Sequence, residues 1–350
     1  MKTNSLLGII ALVLLALSLL SYKVSTTRAE RFERGQKFLS QLNPDNIHEI
    51  DITKSGDTVT LRRGEDRFSV ASKNNYPAKN EAINRFLNDV LGIGLEKKVG
   101  KGESLAKELE VQSDAEAATH VILKNEAGKT MVDFVLGKSL DGGAGRYLLR
   151  LDGEDQAIYL SSGSVTLTTS ADGFLDKEIL NLSADKLVRI EGGDFTMAKA
   201  DDGPLTLEGI PSGKQAKTSE TSQVTNMLSY LKFDQVYLAD HPEVANLNFD
   251  KSVRVRLDDQ SGYDIALAEK DGKYYMTIEG TFDVGQIQLR QDETEEELKE
   301  KSEILSRSDE INKFNALHGS WVYGVSEATA KKFLKTKSEL VEDIPKKEEG

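Results

Sequence analysis

The sequence has no cysteine. Disulfides, zinc–thiolate centres and thiol nucleophiles are therefore excluded. The compartment stays open, because an oxidising periplasm and a reducing cytosol both accept a cysteine-free chain. Positive charge is also in deficit: 45 Lys and Arg stand against 58 Asp and Glu, a formal net charge of −13. A chain this acidic repels phosphodiester backbones and anionic lipid, which argues against nucleic acid as a partner. Long apolar runs are scarce too, and the exception is Leu6 to Leu20, which carries one Gly, one Ser and no charge.

Extended through Ser21 and Tyr22, that run just reaches the ~17 residues that a membrane-spanning helix needs. A cleavable signal peptide would begin with a similar short basic start. However, Leu19-Leu20-Ser21-Tyr22-Lys23 lacks the small-x-small pattern of a cleavage site. With no Cys for a lipid anchor either, the expectation is an uncleaved anchor over residues 6–22, with residues 1–5 cytoplasmic. Lys23, Arg28, Arg31, Arg34 and Lys37 would hold the C-terminal side inside on simple charge counting. Glu30 and Glu33 dilute them, and long domains translocate largely regardless of flanking charge. The chain is thus expected as a single-pass protein of the bacterial cytoplasmic membrane, with its bulk outside.

Residues 23–42 read as a charged stalk. Beyond it the chain is long enough for two domains at ~150 residues each. Ile47, Ile50 and Ile52, then Val59 and Leu61, then Phe68 and Val70 alternate as three short strands separated by Lys54-Ser55-Gly56-Asp57 and Arg63-Gly64-Glu65-Asp66 turns. Ala78 to Leu91 follows as a helix, because Ile83, Phe86, Leu87, Val90 and Leu91 share one face. Strand patterns resume at Val121 and Leu123, Met131 to Leu136, Tyr147 to Leu151 and Ala157 to Leu160. Val165 to Thr169 follows, and Phe174 to Leu182 reads as a short closing helix.

From Leu187 the pattern begins again. Ile52 is matched by Ile190, Val70 by Leu207, Leu87 by Leu228, Val121 by Val253 and Phe134 by Ile265, with a helix expected over Thr218 to Leu231. The fold class is therefore α+β: an N-terminal transmembrane helix followed by two tandem repeats of antiparallel sheet plus covering helix. The repeats are drawn at 43–185 and 186–344, with a helical insertion at 283–318 and a charged tail at 345–350. Ser326 to Leu340 would be the closing helix of the second copy.

Chemistry-bearing patterns are few. His48, His120, His241 and His318 share no metal-ligand spacing. Two Ser-x-x-Lys tetrads, Ser104 to Lys107 and Ser183 to Lys186, lack the companion motifs of penicillin-binding enzymes. Asp141-Gly142-Gly143-Ala144-Gly145-Arg146 precedes a strand, whereas a phosphate cradle needs a helix N-terminus. Asp201-Asp202-Gly203 and Asp258-Asp259 lack the ligand alternation of a calcium loop. No cofactor, metal or catalytic group is assigned. The insertion is the candidate partner-binding element: Leu298, Ile304, Leu305, Ile311 and Phe314 give it an apolar side that some surface must cover.

Arg34-Gly35-Gln36-Lys37, Ile47-His48-Glu49-Ile50-Asp51-Ile52, Arg67-Phe68-Ser69-Val70 and Tyr76-Pro77-Ala78 together resemble the bacterial family called domain of unknown function 4340. Phe68 stands where that family often has Trp. The resemblance implies a membrane-anchored protein accompanying the permease, ATPase and auxiliary subunits of gliding-motility-type ABC transport systems. The expected function is thus a non-enzymatic accessory subunit that binds or scaffolds envelope proteins. The alternative is an envelope enzyme, or a glycan- or small-ligand-binding protein, with a site between the repeats.

Overall fold

In Glu49-Ile50-Asp51-Ile52-Thr53-Lys54 the isoleucines and the polar residues take opposite faces of a strand, β1 (Glu49–Lys54), and both isoleucines are fully buried. Ser55 and Gly56, at φ 51° and 85°, turn the chain into β2 (Asp57–Arg63). The computed structural model describes residues 36–40, 42–153, 156–200, 203–282 and 294–345. The expected anchor, most of the stalk, the start of the insertion at 283–293 and nearly all of the tail lie outside them. Among the described residues no helix is long and apolar enough to cross a membrane.

The chain divides into two compact units, Met1–Asp176 and Lys177–Gly350. In the first, β3 (Phe68–Val70) and β4 (Tyr76–Pro77) follow β2 and lead into α1 (Asn80–Gly92). The α1 face carrying Ile83, Phe86, Leu87 and Val90 is buried, and the Phe86 ring meets Phe174 edge-on at 5.7 Å. Then come β5 (Leu95–Lys101), α2 (Glu103–Glu108), β6 (Thr119–Lys124), β7 (Thr130–Ser139), β8 (Arg146–Arg150) and β9 (Ala157–Ser161). They form one nine-stranded antiparallel sheet in the order β4-β3-β2-β1-β6-β7-β8-β9-β5.

The second unit holds β10 (Glu178–Leu180), β11 (Leu187–Glu191), β12 (Thr196–Lys199), β13 (Leu205–Leu207), β14 (Lys214–Ala216), α3 (Thr218–Thr225), β15 (Leu231–Lys232) and β16 (Gln235–Leu238). It continues with β17 (Lys251–Leu257), β18 (Ser261–Lys270), β19 (Lys273–Phe282), α4 (Glu295–His318), β20 (Trp321–Val325), α5 (Glu327–Phe333) and β21 (Val341–Asp343). Its main sheet runs β13-β12-β11-β17-β18-β19-β20-β16, and β10-β15 and β14-β21 form two small ones. The described residues thus form mostly antiparallel sheets with few helices, an α+β or mainly β fold.

Strand for strand, the order from β3 to β5 corresponds to that from β13 to β16. An apolar rung crosses the first sheet at Val70, Leu61, Ile50, Leu123 and Val132. Its counterpart in the second is Leu207, Met197, Ile190, Val255 and Tyr263. All ten side chains are buried.

Several elements depart from the expectation. Phe174 to Leu182 is not a helix, because its backbone bonds run to distant partners. The Asp176 N–H donates to the Pro77 carbonyl, the Lys177 carbonyl accepts from the Phe233 N–H, and Glu178–Leu180 pairs with β15. The helix expected over Thr218 to Leu231 stops at Thr225. The side chains of Thr221, Thr225 and Asn226 bond back to carbonyls of the turn before them, which weakens a helix already poor in Ala and Leu. Ser326 to Leu340 is helical only over α5. Val165 to Thr169 forms no strand, and β5 and α2 are additional.

Candidate functional site

The expected partner-binding insertion is the longest helix of the described residues, and it begins on a capping box. Thr294 Oγ1 accepts the Glu297 N–H at 3.2 Å, and Glu297 Oε2 accepts the Thr294 N–H at 2.8 Å. Its two halves differ. From Arg307 onward α4 is fixed to its own unit: Arg307 reaches Asp259 at 2.6 Å, and Phe314 meets the Tyr263 ring edge-on at 5.1 Å. The Asn315 amide donates to the Gly280 carbonyl and accepts its N–H, at 2.8 and 2.7 Å. A side chain at Gly280 would come within 3.3 Å of Ile311, Phe314 and Asn315, so glycine lets the helix seat this closely. His318, 4% exposed, closes the contact with Nδ1 2.7 Å from the Tyr323 hydroxyl.

Among the described residues the first half has no such seat. Leu298 and Leu305 are 45% and 51% exposed, while Ile304 is half-buried. The structure therefore divides the five candidates: Ile311 is buried and Phe314 half-buried against the sheet, and Leu298 and Leu305 face solvent one above the other, seven residues apart. Five glutamates and two lysines surround them between Glu295 and Ser306.

A second feature of this unit is a cavity of about 790 Å³ lined by Glu191, Asp194, Lys251, Arg254, Phe333 and Leu334. An adjoining cavity of about 320 Å³ shares Lys251 and Leu334 and adds Leu267 and Tyr274. Glu191, Lys251 and Arg254 of these walls are ion-paired. Arg189 holds the Glu191 carboxyl below the usual carboxylate range from 2.8 Å, and Arg254 lies 3.6 Å from Asp264. Asp194 accepts the Lys337 N–H at 2.7 Å. No sequence motif marks this cavity, and sequence reasoning missed it.

The remaining candidates are dispersed. His120 bonds Asp133 at 2.7 Å on the first sheet, and His241 Nδ1 accepts the Glu243 N–H at 3.2 Å in the second unit. Among the described residues no three His, Asp or Glu converge as a metal site. Ser104 to Lys107 lies on α2, and Ser183 to Lys186 enters a single 3-10 turn before β11. The glycine-rich loop joins β7 to β8, and Arg146 at its end donates to the carbonyls of Leu136, Gly137 and Ala117. Burial lowers the pKa of that guanidinium. Where carboxyl shifts are resolved among the described residues they run downward, as at Glu49, held by Lys124 and Arg62, and Glu220, held by Lys335. Glu49 and Glu220 are thus ion-pair members, charged at neutral pH. Sequence reasoning also missed Tyr275, whose hydroxyl donates to Glu243 at 2.8 Å and is pushed up to about 12 by burial and by that carboxylate.

Fold and surface together define a protein of two antiparallel sheet-and-helix units, with an unseated helix half and a cleft in the second. The chain matches the model of the family described as Domain of unknown function (DUF4340) over residues 69–252, more than half its length, and it belongs to that family. No curated protein and no solved structure matches it. The matched span begins in β3 and ends in β17, so it takes in α1, α2 and α3 and parts of both units.

Proposed function

We propose that the chain is a non-enzymatic accessory subunit of an ABC-type, gliding-motility-like envelope transport complex. Leu6 to Tyr22 anchors it in the bacterial cytoplasmic membrane, with both units outside. It acts by holding other envelope proteins. The observation that carries the binding role is the exposed half of α4, with Leu298 and Leu305 on one side. A helix capped at its start and bolted at its end, yet unseated between, is built to be covered by something else. The transporter as the partner follows from the family resemblance.

The two units are read as copies of one module. The common strand order and the two matching rungs support this, and they refine the correspondence: Ile190 takes the place of Ile50, two residues before Ile52. In this reading α4 was added to the second copy between β19 and β20, where the first has the short β8–β9 connection.

The test is affinity purification of the full-length protein from gently solubilised native membranes. An ABC permease and its ATPase should co-purify in stoichiometric amounts. Recovery of the protein alone would overturn the proposal.

A further inference from the structure

In the first unit β6 is paired by β1 along its whole length, with Thr119 opposite Lys54, His120 opposite Thr53 and Val121 opposite Ile52. Leu123 and Val255 hold the same place in their rungs, so these three residues correspond to Lys251, Ser252 and Val253 of β17. There the partner is missing. β11 ends at Glu191, opposite Arg254, and Glu191 already pairs with Thr196 of the returning strand. The Gly192 N–H closes the turn on the Phe195 carbonyl at 3.0 Å. The β11–β12 ladder thus has three residue pairs where β1–β2 has six.

Among the described residues, no strand lies along that side of Lys251 to Val253, although their other side pairs with Leu267, Ala266 and Ile265 of β18. Three residues at ~3.4 Å each leave roughly 10 Å of open sheet edge. The about 790 Å³ cavity lies along this stretch, with Lys251, Ser252 and Arg254 on one wall and Phe333 and Leu334 on another.

We infer that this edge is a peptide groove, taking an extended segment of another polypeptide as an added strand on the track that β11 leaves empty. An open ladder offers main-chain donors and acceptors that fit an extended backbone, and alternate side chains then supply selectivity. The rung geometry puts one face of the added strand with Val253 and the other with Ser252 and Arg254. On the Val253 side, an apolar residue meets Phe333 and Leu334. A basic residue suits the acidic end of the groove. Lys251 lies 3.6 Å from Asp250, Arg254 lies 3.6 Å from Asp264, and Asp194 accepts a neutral backbone N–H that leaves its charge in place. The inference rests on the sheet edge and is independent of the transporter assignment.

The test uses the full-length chain in detergent and a synthetic library of acetylated hexapeptides alternating apolar residues with Lys or Arg, read by fluorescence anisotropy. Members should bind, and N-methylation of alternate amides in the best one should weaken it at least tenfold, since side-chain contacts survive that change and ladder bonds do not. A Cβ at Gly193, which lines the groove, would meet no atom within 4 Å, so Gly193→Trp can direct a bulky side chain into it. It should reduce binding at least tenfold, and Leu334→Lys gives a second block should the first variant misfold. Failure of every peptide to bind would overturn the inference. So would binding that survives both N-methylation and blockade.

Discussion

Thr119 to Val121 in the first unit and Lys251 to Val253 in the second hold the same place in their sheets, yet one stretch is paired and the other open. A like contrast recurs at the other end of the strands. The first unit crosses from β8 to β9 by a short connection, whereas the second inserts α4 between β19 and β20. The cores differ far less, since each rung is buried across five strands. The two units therefore differ at the ends of strands, where adding or removing residue pairs leaves the register of the core rungs unchanged.

The sharpest way to break this comparison is through the rungs. Ile50→Ala and Ile190→Ala each remove a fully buried side chain and should each cost about 2–5 kcal/mol. Urea denaturation followed separately for each unit should give values within about 1 kcal/mol of one another. A clear inequality would mean that the rungs are not equivalent.

Next come the polar faces. Lys124 Nζ bonds Glu49 at 2.7 Å and Asp51 at 2.6 Å, whereas its counterpart Arg256 is more exposed and reaches Asp264 at 3.2 Å. Lys124→Met should cost about 1–2 kcal/mol and Arg256→Met under about 1 kcal/mol by the same measurement. Glu49 has a lowered folded pKa, caused first by its bond to Lys124. Its contribution is therefore present at neutral pH and lost as pH falls through the carboxylate range.

The second unit should differ at the alkaline end. Tyr275 is pushed from 10.0 up to about 12, so the folded state keeps a proton that the unfolded state releases. Stability should fall as pH rises across that interval. Tyr275→Phe should flatten this slope in a pH series of melting temperatures, and an unchanged slope would assign it to another group. The smallest effect is expected at Leu298→Glu with Leu305→Glu, which should shift stability by no more than about 0.5 kcal/mol because both side chains are exposed.

The elements that sequence made legible are those with strong alternation. Ile50 and Ile52, Val59 and Leu61, and Val121 and Leu123 declare their strands, and Ile83 to Val90 declares α1. Strand β5 was not legible, because Leu95-Glu96-Lys97-Lys98-Val99 is an edge strand that buries Leu95 alone. The isoleucines at 50 and 52 are equally apolar, so pattern matching had no means of choosing between them as the partner of Ile190, and hydrogen-bond register does. On α4 the apolar positions were readable, but where the sheet beneath them ends was not, so the seated and unseated halves looked alike. The cleft left no trace, since Gly192-Gly193-Asp194 reads as any turn and its meaning lies in the residue pairs that are missing.

The role of α4 in partner contact is tested most directly by a paired purification from native membranes, comparing the unaltered full-length protein with the Leu298→Glu, Leu305→Glu variant at equal expression. Permease and ATPase should accompany the first and be largely lost from the second, while both proteins melt at the same temperature. Equal recovery of those subunits with both would contradict it and remove α4 from the partner contact.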